Sequence, residues 1–307
     1  MNYLLNVTKV FWDSDLVWNF RHSIEAVLSL LITLVMLFSA LFAGWIAPYD
    51  PFDLASFDLS NAFLPPAWCE GGSSVFLLGT DDQGRDLLSA IIYGFRVSLE
   101  IGLSSVVVSC VIGITLGLLS GYVGGLIDSV VMRLCDVMLS FPAILLALLI
   151  DGVARVVLPA DVHEEFAYVV LVLAISMSGW VKYARTVRAS TLSEKQREYV
   201  QAAQVVGVGS IRIMFTHIFP NILGPVLILA TVQVVTAIIA EATLSFLGIG
   251  VPPTTPSLGT LIRIGNEFLF SGEWWITIFP GVTLIAFVLA INLFGDWLRD
   301  ALNPKLQ

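Results

Sequence analysis

Charged side chains are scarce in this sequence: 13% of its 307 residues, where a soluble domain carries about a quarter. The shortage comes with 57% hydrophobic residues and a mean hydropathy of +0.89. Together these exclude a soluble globule, because a chain of this size has no interior large enough to hide so much apolar surface. Lipid must be the solvent for most of it. Cysteine is also sparse: Cys69, Cys110 and Cys135 stand at no motif spacing, so no disulfide framework or thiolate metal site is implied. Two of them lie in apolar runs and read as small hydrophobes. His22, His163 and His217 are scattered, and His163-Glu164-Glu165 lacks the second histidine of a zinc-protease helix, so no metal site is expected. None of the few lysines follows a glycine, so the G-x-x-x-x-G-K-[ST] loop that cradles nucleotide phosphates is absent. This chain is not expected to hydrolyse ATP. No G-x-S-x-G elbow occurs either, so no catalytic residue is assigned. A net charge of −9 argues against nucleic acid as a partner.

What is present is a series of long apolar runs. A membrane helix needs about 20 mostly apolar residues, because the hydrocarbon layer is about 30 Å thick and every backbone group in it must be bonded internally. Residues 26–49, 101–127, 218–240 and 274–295 carry no charge. Residues 137–150 and 166–181 are shorter between charges, and reach spanning length by extending past Asp136 and Lys182. The expectation is an all-α polytopic membrane protein, with six transmembrane helices near 24–47, 96–121, 130–150, 166–188, 217–242 and 274–296. A short cytoplasmic segment, residues 1–23, precedes them. The first run is longer than a signal-peptide core and no A-x-A site follows it, so it is expected to remain as a helix.

Charge asymmetry orients the spans, since Lys and Arg concentrate on the cytoplasmic side. With the N-terminus inside, eleven of the 15 Lys and Arg fall in inner segments, and only Arg85, Arg96, Arg155 and Arg263 fall outside. Both termini are therefore expected in the cytoplasm. The first outer loop, about 48–90, is rich in Asp, Pro and Phe. Within it Gly79-Thr80-Asp81-Asp82-Gln83-Gly84-Arg85-Asp86 reads as a turn leading into a helix, with Asp86 as its N-cap. The second outer loop, about 245–273, holds Pro252-Pro253 and Pro256 and is expected to be irregular or only briefly helical.

The inner loop at about 189–216 is the most informative stretch. Lys182, Arg185 and Arg188 recur every three residues, which places them near one face of a helix leaving the membrane. Ser193 and Gln196 fit a capping box that would open a second short helix, and Gly207 suits a left-handed position that would close it. Tyr199, Val200, Ala202, Ala203, Val205 and Val206 give this segment an apolar surface among Glu194, Lys195, Arg197 and Glu198. A short amphipathic helix of this kind can lie in a groove of another protein, or be an ordinary connector.

At this loop the sequence resembles a family: the inner-membrane permease subunits of bacterial dipeptide and oligopeptide ABC importers, specifically the shorter of the two paired permeases. Their cytoplasmic motif runs Glu-Ala-Ala, three residues, Gly, about nine residues, then an Ile-Leu-Pro-like ending. Here stand Gln201-Ala202-Ala203, Gly207 and Ile218-Phe219-Pro220. Further similar pieces are Leu78-Gly79-Thr80-Asp81 with Gly84-Arg85-Asp86, then Arg133, Asp136 and Phe141-Pro142, then Glu241-Ala242 with Leu244-Ser245-Phe246-Leu247-Gly248. The tail Gly295-Asp296-Trp297-Leu298-Arg299-Asp300-Ala301-Leu302-Asn303-Pro304 completes the set. Gln201 departs from the motif glutamate by losing its charge, with Glu198 one helical turn away, and Phe219 replaces the usual leucine.

The resemblance implies a type I ABC importer permease fold in a bacterial inner membrane. The implied partners are a homologous permease as the other half of a heterodimer, two separate ATPase subunits and a periplasmic binding protein. ATP and Mg would be held by the ATPases, with no cofactor on this chain. Glu198, Tyr199, Gln201, Ala202, Ala203, Gly207, Arg212 and Pro220 are the implied coupling residues, and dipeptides or oligopeptides the implied cargo. Relatives of this kind also carry nickel chelates or other small solutes. An ATP-independent secondary transporter, the reading from another class, should show buried ionisable residues at mid-membrane, for which Glu241 is the sole candidate. Glu241 has a structural reading too, bonded to Ser245 near the outer interface. Asp81, Asp82, Arg85 and Asp86 could touch the binding protein or simply form the turn. Arg133 and Asp136 are expected to pair with each other or with a neighbouring helix, Pro142 to kink its span, and Gly113, Gly117 and Gly121 to form a small-residue face for helix packing.

Overall fold

The computed structural model describes residues 15–53, 58–252 and 254–301; Lys9, Pro253, Lys305 and the tail residues Leu302-Asn303-Pro304 lie outside them. The described chain is helical, its only β pairing being an isolated bridge between Thr80 and Asp86. Short α1 (Asp15–His22) leads into α2 (Ile24–Leu41), which starts where the Ser23 side chain accepts the Ala26 N–H at 3.3 Å. One turn, α3 (Ala43–Ile46), opens the outer loop, and α4 (Leu87–Val123) closes it. There follow α5 (Gly125–Ser140), α6 (Ala143–Val157), α7 (Ala160–Glu194), α8 (Glu198–Val205) and α9 (Ser210–Arg212). A π-helical stretch (Ile213–Ile218) runs into α10 (Phe219–Phe246), and α11 (Leu258–Phe268) and α12 (Trp275–Ala301) complete the described residues.

Five helical stretches are long and apolar enough to cross a membrane: Ile24–Leu41, Leu87–Val123, Phe166–Glu194, Ser210–Phe246 and Trp275–Ala301. Where one kinked helix was expected as a sixth crossing stand two helices, α5 and α6, that meet at 93°, the geometry of a broken span or of a re-entrant loop. The cause is local. Proline forces its predecessor out of the helical region, and Phe141 (φ −99°, ψ 133°) and Pro142 (φ −57°, ψ 132°) are both extended. Pro220 has a milder effect. It cannot donate to a carbonyl four residues back, and the chain widens into the π turn just before it. The second outer loop is more regular than expected. Its prolines precede α11, whose start is fixed by the Ser257 side chain accepting the Thr260 N–H at 3.3 Å.

The centre of the bundle is the seam between α4 and α7. Gly113, Gly117 and Gly121 press onto α7 so closely that a Cβ on Gly117 would lie 2.7 Å from the Ala184 carbonyl oxygen. A Cβ on Gly121 would lie 2.7 Å from Thr191 Cβ. In lipid no hydrophobic force drives helices together, so backbone approach of this kind and interhelical hydrogen bonds must do it. The bonds are present: Ser109 Oγ donates to the Ser176 carbonyl at 3.3 Å, and Ser176 Oγ to the Ser105 carbonyl at 3.1 Å. A second cluster joins α2, α4, α11 and α12 around Phe95 and Phe287, whose rings meet edge-on 4.6 Å apart. Apolar side chains such as Leu31, Leu34 and Val35 on α2 and Val282, Ile285 and Leu289 on α12 face outward, as a lipid-exposed surface requires.

Candidate functional site

Three places hold the residues singled out from the sequence. The first is α8 with its flanks. Gly207 has φ +84° and no atom near a Cβ built on it. The Gly207 N–H bonds the Gln204 carbonyl and the Val208 N–H the Ala203 carbonyl, each at 3.0 Å, the paired closure of a Schellman motif. The start of α8 differs from expectation. Ser193 belongs to the last turn of α7, and Gln196 bonds back only through its backbone, to the Ser193 carbonyl at 3.3 Å. Arg197 occupies the N-cap and makes no side-chain cap bond, so there is no capping box.

The apolar residues of α8 divide between two faces. Val200 and Ala203 are buried in the core formed with Ile213 and Met214, so Ala203, expected as part of a docking surface, instead anchors the helix to the bundle. Glu198, Gln201, Ala202 and Arg212 are exposed, with Val205 88%, Val206 82% and Ile211 71% accessible. Pro220, at the start of α10, is exposed as well. Tyr199 Oη donates to Glu194 Oε2 at 2.5 Å. Partial burial of the phenol and its bond to that carboxylate push its ionisation up to about 12, so it stays a neutral donor. Lys195 ties this region to the end of α4 by donating to the Tyr122 carbonyl at 2.6 Å, one of the last carbonyls that the helix itself leaves unpaired.

The second place is the outer turn. Thr80 and Asp81 are fully buried, and Arg85 and Asp86 are 4% exposed. Asp81 Oδ1 accepts the Gln83 and Arg85 N–H groups, both at 2.9 Å, while Oδ2 pairs with Arg85 Nε at 2.6 Å. Asp86 caps α4 as expected, its Oδ2 accepting the Ser89 N–H at 2.8 Å. Trp275 Nε1 donates to the Thr80 carbonyl at 3.0 Å and so fastens the turn to α12. Burial gives Asp81, Arg85 and Asp86 to the turn, while Asp82 is half-buried, its Oδ1 enclosed without a hydrogen-bond partner. Burial and then the neighbouring Asp81 charge raise the Asp82 carboxyl above its usual range.

The third place is the cavity at the α5–α6 break. It has a volume of about 200 Å³ and lies between α4, α7, α10 and the break, with Phe141, Ser178, Lys182 and Gln233 on its wall. Of the regularly spaced cations of α7 Lys182 lines this cavity, and each of the three has its own partner. Arg188 Nη2 donates to Asp128 Oδ2 at 2.6 Å, Arg185 Nη2 to Asp136 Oδ1 at 2.5 Å, and Lys182 Nζ to Gln233 Oε1 at 2.9 Å. Asp136 therefore pairs with α7 and not with Arg133, which is exposed on α5. Glu241 is wholly buried, with Ser245 Oγ donating to its Oε1 at 2.6 Å, the local bond expected of a structural acid. Gln233 and Asp128 were not picked out from the sequence. Gln233 is uncharged inside an apolar run, and its polarity there was the available signal.

Apolar crossing helices, a bent helix pair lining a mainly apolar cavity and a short exposed helix between two crossings fit a multi-pass membrane permease. The chain belongs to the family described as the binding-protein-dependent transport system inner membrane component, which residues 113–307 match. Residues 11–66 match the N-terminal TM domain of oligopeptide transport permease C. Among relatives, the di/tripeptide transport system permease protein DppC of Pseudomonas aeruginosa is 43% identical over 97% of this chain and 92% of its own length. The dipeptide transport system permease protein DppC of Haemophilus influenzae is 42% identical over 94% of this chain and 93% of its own length. That of Escherichia coli K12 is 43% identical over 94% and 91%. The fold is similar to that of the inward-facing MetNI methionine ABC transporter (TM-score 0.55, 21% identity, 71% of this chain and 98% of that one). An amino acid ABC transporter is similar too (TM-score 0.52, 16% identity, 69% and 94%). Members of this family are transport permeases, not enzymes.

Proposed function

We propose that this chain forms one half of the translocation path of an ATP-driven dipeptide importer and that α8 is its point of contact with the motor. Its partners are a homologous second permease, two ATPase subunits that hold ATP and Mg, and a periplasmic binding protein that delivers the peptide. Both termini lie in the cytoplasm. The dipeptide assignment rests on the named cargo of relatives that match nearly the whole chain. The coupling assignment rests on one observation: α8 is anchored on one face through Val200 and Ala203 and presents Ala202, Val205 and Val206 outward on the other.

A rigid helix seated in a groove turns movement of the groove into movement of the spans attached to it. Here α8 joins α7 to α10, so a push on it reaches both walls of the cavity. Gln201, which donates to the Gln196 carbonyl at 3.2 Å, keeps the polarity of the family's glutamate, and Glu198 supplies the charge one turn away. The test is purification of a tagged chain from its native membrane. A second permease and two nucleotide-binding subunits should accompany it, and vesicles holding the complex should take up dipeptide only with ATP and binding protein. Recovery of the chain alone, with dipeptide uptake independent of ATP, would contradict the assignment.

A further inference from the structure

We infer that Lys182, braced by Gln233, is an anchor for the carboxylate of the transported solute inside the cavity at the α5–α6 break. The inference deepens the permease reading and rests on it. Non-helical backbone at membrane depth is tolerated only where protein buries it or where it lines a water-filled cavity. The extended residues Phe141 and Pro142 separate α5 from α6 within a helix pair apolar enough to enter a membrane, and Phe141 is on the wall of the cavity. A cation within a crossing helix that faces such a cavity marks a solute pathway more often than a packing detail.

The three cations of α7 differ in one respect. Arg185 and Arg188 are each neutralised by a carboxylate of α5, Asp136 and Asp128. Lys182 instead meets the neutral Gln233, and among the described residues no carboxylate lies within ion-pair distance of it. Gln233 is itself 5% exposed and fixed in orientation, its Nε2 directed at the Gly179 carbonyl at 3.5 Å and its Oε1 accepting from Lys182. The amide thus aims the ammonium group without cancelling its charge, leaving donors for an incoming anion. A C-terminal carboxylate is the anion every dipeptide carries. Ser105, Ser109 and Ser178 add hydroxyls to an otherwise apolar wall, which suits a ligand whose side chains vary and whose terminus does not.

The test uses the assembled transporter in phosphatidylcholine vesicles, with the substitutions Lys182→Gln and Lys182→Arg. The first should cut alanyl-alanine uptake per ATP hydrolysed by about tenfold or more, and the second by no more than about threefold. A second assay needs neither ATP nor binding protein. With Ser178→Cys in the cavity, maleimide labelling should be slowed by alanyl-alanine and not by its C-terminal amide, and the slowing should vanish in the Lys182→Gln background. Equal protection by acid and amide, or a native uptake ratio in Lys182→Gln, would overturn the inference. Protection by added phosphatidylglycerol alone would assign the cation to a lipid headgroup. Loss of the second permease from the Lys182→Gln complex would assign it to a subunit contact. ATP-dependent uptake by the unmodified complex reads the permease assignment separately.

Discussion

The seam between α4 and α7 and the short helix α8 lie at opposite extremes of the same molecule. Along the seam glycine brings two backbones together with no room for a single added carbon. Around α8, Gly207 and Gly209 have open space, and most of the helix faces outward. In the proposed coupling the seam serves the two walls as a common spine that carries a displacement from one end to the other. An exposed helix is useless as a handle if the rod behind it bends. Stiffness and accessibility are separate requirements, and the chain meets them in separate places. The outer turn is a third case, rigid through hydrogen bonds to one buried carboxylate instead of through close packing.

Substitutions should reveal that contrast in decreasing order of stability cost. Asp81→Ala removes the carboxylate that Arg85 and two backbone N–H groups use, and should cost about 3–5 kcal/mol, the usual loss when a buried pair is broken. It would appear as a collapse of thermal stability in detergent, with Asp82→Ala nearly silent. Gly117→Leu forces α4 and α7 apart and should cost about 1–3 kcal/mol, read as a lowered melting temperature and poor assembly. Were Gly117→Leu tolerated while Gly207→Val was not, the assignment of spine and handle would be reversed. Gly207→Val places a branched side chain at φ +84° and should cost about 1–2 kcal/mol, confined to α8 and visible as faster proteolysis there. Gln201→Glu, on an exposed face, should change stability by less than about 0.5 kcal/mol and leave uptake intact.

Much of this architecture was legible in the chain. Uncharged runs show where helices cross because lipid tolerates no other solution, and the four-residue glycine spacing marks the seam because only one residue type permits such an approach. Gly207 was readable for a related reason, the freedom of glycine at positive φ. Other features required three dimensions. Ala203 and Ala202 are adjacent and chemically identical, and only the rotation of α8 against Ile213 and Met214 turns one in and the other out. The Ser193–Gln196 spacing mimics a cap, but α7 runs on through Ser193, and Lys195 just beyond its end bonds the Tyr122 carbonyl. Asp136 had a cation in its own helix and found a better-placed one across the gap. Lys182 and Gln233 are 51 positions apart, and no local pattern joins them.

The central claim is that force enters this chain through the outward face of α8. The most direct measurement is dipeptide taken up per ATP hydrolysed by the reconstituted transporter carrying Ala202→Asp and Val205→Asp together. Both positions are exposed, so the complex should fold with stability within about 1 kcal/mol of native, and the ratio should fall by about tenfold or more because two charges would occupy an apolar contact. A folded double variant that moves peptide at the native ratio would contradict the account.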